Sequence, residues 1–178
     1  TSISIVREKE TGTMEILLVS PMNSLFVILS KAVPYFVLSI LNLTTILLLS
    51  FFVLDVPIAG SLTALVGVSL VFIFVSLALG LLISNVTQTQ VAAMLASGMV
   101  LMLPTIILSG IIFPIESMPG ILQGISCFIP ARWYVSIVRR IMIEGVPFMY
   151  VWKETAILLF MAVVLIGITT RTFKNRLE

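Results

Sequence analysis

Four long apolar stretches dominate this chain, and they fix most of what it can become: about 33–54, 62–83, 91–113 and 153–170. Crossing a bilayer takes about 20 helical residues at about 1.5 Å rise each, and each stretch approaches or exceeds that length. Inside lipid no water satisfies free backbone groups, so each is expected to be a helix. The first lies between Lys31 and Asp55, and the second ends at the polar run from Ser84 to Gln90. The third gives way to Pro114, and the fourth stops at a basic tail with Arg171, Lys174 and Arg176.

Composition agrees with that reading. Of 178 residues, 60% are hydrophobic and 10% charged, against about 25% charged in an ordinary soluble domain. Too few charges are present to clothe a water-soluble globule, which excludes a soluble enzyme and a disordered tail. The expected fold class is an all-α integral membrane protein. There is no histidine and one cysteine, Cys127. Those absences exclude a His-based general base, a His- or Cys-cluster metal site and an intrachain disulfide. Cys127 reads as a small apolar packing residue. A net charge of +2 gives no argument for nucleic acid. The chain opens at Thr1 with neither a basic region nor a long apolar core before Val6, so it does not resemble a signal peptide, and it is expected to be a piece of a longer protein.

The basic residues orient the spans. An even number of spans puts both ends on one side, together with Arg7, Lys9, Lys31, Arg171, Lys174 and Arg176. The other side holds Arg132, Arg139 and Arg140, with Lys153 at its boundary. The bias places both ends in the cytoplasm. The short loop from Asp55 to Ser61 carries no basic residue, and aromatics from Phe113 to Trp152 gather near the outer surface, as an interfacial belt does. The match of Asn85-Val86-Thr87 to a glycosylation sequon then falls on the cytoplasmic side and reads as chance.

Residues 114–152 form an outer hairpin. Pro114 to Gly120 is turn chemistry, Ile121 to Ile129 a short apolar piece, and Ala131 to Ile143 is helical in pattern. Tyr134, Ile137, Val138 and Ile141 share one face, and Arg132, Ser136, Arg139 and Arg140 lie elsewhere. The pattern fits a helix lying in the interface with its apolar side down, or a re-entrant hairpin. At the other end, residues 1–32 read as a cytoplasmic segment: a mixed charge run, Arg7-Glu8-Lys9-Glu10, then Thr11-Gly12-Thr13 capping a short helix from Met14. Glu15 stands near that helix's positive end. Ser20-Pro21 starts a second helix, and Pro34 is expected to kink its entry into the membrane.

Candidate chemistry is sparse. No Gly-x-x-x-x-Gly-Lys-Ser/Thr loop is present, so this stretch of chain is no P-loop ATPase. Every Asp and Glu falls outside the spans or at their ends, against the buried carboxylates of an ion-coupled carrier. What remains is mild polarity: Ser39, Asn42 and Thr45 recur on one side of the first span, lining a translocation path or packing against another helix. Ser76, Gly80 and Ser84, with Ala92, Ala93, Ala96 and Ser97, are small residues at four-residue spacing, suited equally to close helix packing or to a dimer interface. Pro104 implies a bend in the third span.

The run from Arg7 to Pro21, with Gly12-Thr13-Met14-Glu15 at its centre, resembles the cytoplasmic coupling segment of type-2 ATP-binding-cassette (ABC) transporter permeases. Two further blocks are similar to that family: Leu108-Ser109-Gly110 followed by Phe113 to Pro119, and Ile129-Pro130 with Tyr134, Arg139 and Gly145. Thr11 stands where a basic residue is common in the family, and Arg140 where a glycine is common. The resemblance implies a six-span permease of which this chain carries the last four spans, with Thr1 to Val6 as the tail of the preceding one. It implies a homo- or heterodimer of permeases in the cell membrane, each coupled to a separate ATPase subunit that binds ATP and Mg; the permease itself would be no enzyme and carry no cofactor. The residues expected to meet the ATPase are Glu10, Gly12, Thr13 and Glu15. A membrane scaffold or assembly subunit is the alternative, and an ion-coupled carrier a third.

Overall fold

The computed structural model describes residues 3, 6–7, 24–56 and 59–174. Within them the chain is helical, with α1 (Ser24–Phe52), α2 (Leu62–Val86), α3 (Gln90–Ala96), α4 (Leu103–Leu108), α5 (Gly120–Ser126), α6 (Pro130–Met142) and α7 (Trp152–Lys174). A π-helical segment, Ser97–Met102, joins α3 to α4, and short 3-10 turns occupy Ile115–Ser117 and Phe148–Tyr150. Four helical stretches are long and apolar enough to cross a membrane: Leu29–Phe52, Leu62–Val86, Gln90–Leu108 and Trp152–Thr172. The described residues are therefore all-helical, and the chain is a multi-pass membrane protein.

The expected span limits shift by a few residues, for identifiable reasons. The first crossing begins before Lys31, whose long side chain can reach out of the apolar layer; the helix runs on through Pro34. The second takes in Ser84 and Asn85, which are buried rather than in a loop. Asn85 Nδ2 donates to the Thr169 carbonyl on α7 at 3.3 Å, and Val6 N–H donates to Ser84 Oγ at 3.2 Å. The third crossing stops at Leu108, short of Phe113, because Gly110 takes a φ of +86° and turns the chain.

Pro104 does disturb the third crossing, though as a widened turn. A proline ring clashes with the carbonyl four residues back and leaves it without a donor. Here the π-helical segment lies just before it, and the Leu103 N–H reaches back to the Gly98 carbonyl, five residues away.

α2 is the central element, packed on α7 and α6, while α1 leans on α2. The tightest core is at the hairpin end, where Leu65 and Val68 of α2 meet Ile137 and Ile141 of α6 and Leu158 of α7. Ile137 and Ile141 are 0% and 1% exposed. The apolar face of α6 is thus committed to neighbouring helices, not turned down onto lipid as an independent interfacial helix would place it. α5 and α6 meet at 88° across the break at Cys127–Ile129, the geometry of a broken or re-entrant segment.

Candidate functional site

The chain offers three places where function can reside: the N-terminal segment, the cleft between α1 and α2, and the hairpin. Glu10, Gly12, Thr13 and Glu15, expected to meet an ATPase, lie outside the described residues.

In α1, Ser39 is half-buried while Asn42 and Thr45 are exposed. The hydroxyls of Ser39 and Thr45 donate to carbonyls of their own helix, Tyr35 and Leu41, each at 2.8 Å. Such back-bonding satisfies a hydroxyl without a partner helix. Ser39 and Asn42 line a cleft of about 480 Å³ between α1 and α2, opposite Phe72, Ile73 and Ser76, and Thr45 is not among its lining residues. The tilted contact of Phe36 with Phe74, with centroids 4.6 Å apart and planes at 37°, joins the same two helices. The three-residue stripe therefore splits: two members share one cleft and the third does not. Ser76, read in the sequence as a packing residue, is exposed and joins them, while Gly80 and Ser84 of the same series are buried.

The hairpin is bound to the spans by specific polar contacts. Tyr134 stacks on Phe72 with centroids 4.2 Å apart and planes at 3°, and its hydroxyl meets Ser69 Oγ of α2 at 2.9 Å. Arg132 donates to the Gln123 carbonyl at 2.8 Å and to Ser126 Oγ, closing the α5–α6 corner. The Trp133 indole N–H donates to the Cys127 carbonyl at 3.0 Å across the same corner. Arg140 pairs with Glu154 of α7 at 2.7 Å. That ion pair was not read from the sequence, where Arg140 stood only among the basic residues of the outer side; its signal was an acid opening the last span within reach of a basic helix.

The loop between α1 and α2 closes over the hairpin. Ala59 N–H donates to the Met142 carbonyl at 3.1 Å. Gly60 lies so near α6 that a Cβ there would stand 2.5 Å from the Ile141 carbonyl oxygen. Gly145, at φ +65°, faces Ala59 from the other side. A smaller apolar cleft of about 250 Å³ separates the π-helical turn and Pro104 from Phe128, Ile129 and Pro130. Among the described residues no three of His, Cys, Asp and Glu stand together as metal ligands.

A family profile described as "ABC-2 family transporter protein" matches residues 1–171. The "Probable multidrug ABC transporter permease YbhS" of Escherichia coli K12 is 38% identical over all of this chain and 47% of its own length. The "Probable multidrug ABC transporter permease YbhR" of the same organism is 33% identical over 86% of this chain and 42% of its own. "ABC transporter G family member 20" of Dictyostelium discoideum is 28% identical over 99% of this chain and 24% of its own. No solved structure matches. The chain thus spans about half the length, or less, of these curated relatives, and the match runs through the coupling-like segment, the spans and the hairpin alike: it belongs to the ABC-2 family of transporter proteins.

Proposed function

We propose that this chain is the C-terminal transmembrane half of an ABC exporter permease, passing ATP-driven closure of a separate ATPase to a substrate path in the membrane. The observation that carries the reading is the family match over 1–171, which includes the Gly-Thr-Met-Glu segment before the first span. Both ends of the chain lie in the cytoplasm on this reading, and residues 114–152 face outward. Val6, buried and hydrogen-bonded to Ser84 at the end of α2 remote from the hairpin, supports residues 1–6 as the tail of a preceding span. The ATPase binds ATP and Mg, and two permeases, identical or related, enclose the path. Gly12 permits close backbone approach, Thr13 caps the coupling helix, and Glu10 and Glu15 pair with basic residues of the ATPase.

On the transport side, Ser39, Asn42 and Ser76 offer a few hydrogen-bonding groups within an otherwise aromatic and aliphatic cleft. That lining suits an amphiphilic cargo with little charge, and two of the relatives are named as probable multidrug permeases. The test is co-purification of the full-length permease with its ATPase in detergent, wild type against Glu15→Arg. We expect the wild type to retain the ATPase and the charge reversal to lose at least nine-tenths of it while staying folded. Equal retention would remove Glu15 from the contact. A folded wild type that retains no ATPase would overturn the exporter reading in favour of a membrane scaffold.

A further inference from the structure

The hairpin carries a charged cleft that the transport reading does not use. Ser109 ends α4, and Gly110 at φ +86° turns the chain back, its Cα side closed by Ile115. Between this turn and α6 lies a cavity of about 280 Å³ lined by Ser109 and Glu116 on the turn and by Arg132, Arg139, Arg140 and Glu144 on and after α6.

Two observations mark it as more than a packing gap. The first is Ser109, 1% exposed, whose hydroxyl oxygen is buried on the cleft wall with no hydrogen-bond partner; buried polar groups are nearly always paired. The second is the charge pattern. Glu154 neutralises Arg140, which leaves Arg132 and Arg139 against Glu116 and Glu144. Arg132 turns one nitrogen, Nη1, to the α5–α6 corner. Arg139 is exposed and has no ion pair among the described residues. A simple anion entering here would meet two carboxylates, and a simple cation two guanidinium groups. A ligand bearing both signs meets both.

We propose that this cleft binds a phosphate joined to a primary ammonium, the headgroup chemistry of an ethanolamine phospholipid. Arg132 and Arg139 hold the phosphate oxygens, as guanidinium groups do with planar forks of N–H donors, and the Ser109 hydroxyl donates to it. Glu116 and Glu144 accept from the ammonium, whose N–H donors a quaternary choline lacks. The site lies where α4 has ended and α7, opening at Trp152, has just begun. That is the level of the headgroups, and the site is independent of what the chain transports.

The experiment uses delipidated full-length permease in detergent and native mass spectrometry. The probes are dioleoyl phosphatidylethanolamine, phosphatidylcholine and phosphatidylglycerol, with soluble O-phosphoethanolamine as competitor. We expect phosphatidylethanolamine to bind at least ten-fold tighter than the other two. Arg139→Gln should lose that ten-fold, and Glu116→Gln should erase the preference over phosphatidylcholine and raise phosphatidylglycerol. Both side chains are exposed, so neither change should unfold the protein, which size-exclusion elution checks. Displacement by O-phosphoethanolamine assigns recognition to the headgroup alone, while selectivity without displacement makes the intact lipid the ligand. Equal binding of ethanolamine and choline lipids, tighter binding of phosphatidylglycerol, or indifference to both substitutions overturns the proposal.

Discussion

Gly60 is where one missing carbon decides how the hairpin sits. The loop after α1 approaches the last turn of α6 so closely that an added Cβ would overlap the Ile141 carbonyl at 2.5 Å, a backbone atom that no rotamer change can move away. Gly60→Ala should push loop and hairpin apart, break the Ala59–Met142 hydrogen bond, and cost about 1–3 kcal/mol, the usual range for overpacking. A lowered unfolding midpoint of the purified permease would report it. Gly67→Ala is the control, since a Cβ there meets nothing within 4 Å beyond its own stretch of helix; equal midpoints for the two variants would refute the argument. Gly145 stood out in the sequence through a family resemblance, but Gly60 did not. Its requirement comes from a backbone brought up by the tertiary fold, and nothing in Pro57-Ile58-Ala59-Gly60 encodes which carbonyl will face it. Ser39, Asn42 and Thr45 teach the same lesson from the other side. Their spacing was legible, but only the placement of α2 separates the two that share a cleft from the one that does not.

At the scale of elements, the Arg140–Glu154 pair fastens α6 to the start of α7. The side chains are 31% and 18% exposed, and Glu154 keeps one buried oxygen without a partner. Arg140→Met should therefore leave a poorly solvated carboxylate. The expected cost is about 1–3 kcal/mol, below the 3–5 kcal/mol of a wholly buried pair because water still reaches both groups. Adding Glu154→Leu should recover most of it, since an apolar pair often replaces a buried ion pair without loss. A double-mutant cycle on unfolding midpoints measures the coupling, and strict additivity would mean that the pair fastens nothing. The helices themselves were readable from apolar length and turn residues, α6 to within a residue at each end. The widened turn at Ser97–Met102 was not. Pro104 announces a disturbed hydrogen bond, yet a bend and a π-helical turn relieve the same clash, and the choice depends on how α4 packs.

At the scale of the molecule, the four crossings among the described residues put the hairpin on one side and the α2–α3 turn on the other, and the fold's own cysteine can establish which is which. Cys127 is the one cysteine of this sequence; it is exposed, at the α5–α6 corner. Gln88 is exposed in the turn between α2 and α3, at the far end of the same two spans. The sequence argued the orientation from charge and from the aromatics near the hairpin, and the charge bias is small because Arg132, Arg139 and Arg140 sit on the side proposed to be outside. The structure gives two of those arginines local duties: Arg132 closes the hairpin corner and Arg140 neutralises Glu154. Discounting those two leaves Arg139, with Lys153 at the boundary, against the six basic residues of the other side, Arg7, Lys9, Lys31, Arg171, Lys174 and Arg176, a balance that favours both ends in the cytoplasm. In intact cells, a membrane-impermeant maleimide should label Cys127 of a full-length permease lacking other cysteines. A Gln88→Cys substitution in a Cys127→Ser background should label only after permeabilisation. The reverse pattern would invert the protein in the membrane and move residues 1–32 away from any cytoplasmic ATPase, which makes this the measurement on which the coupling proposal depends.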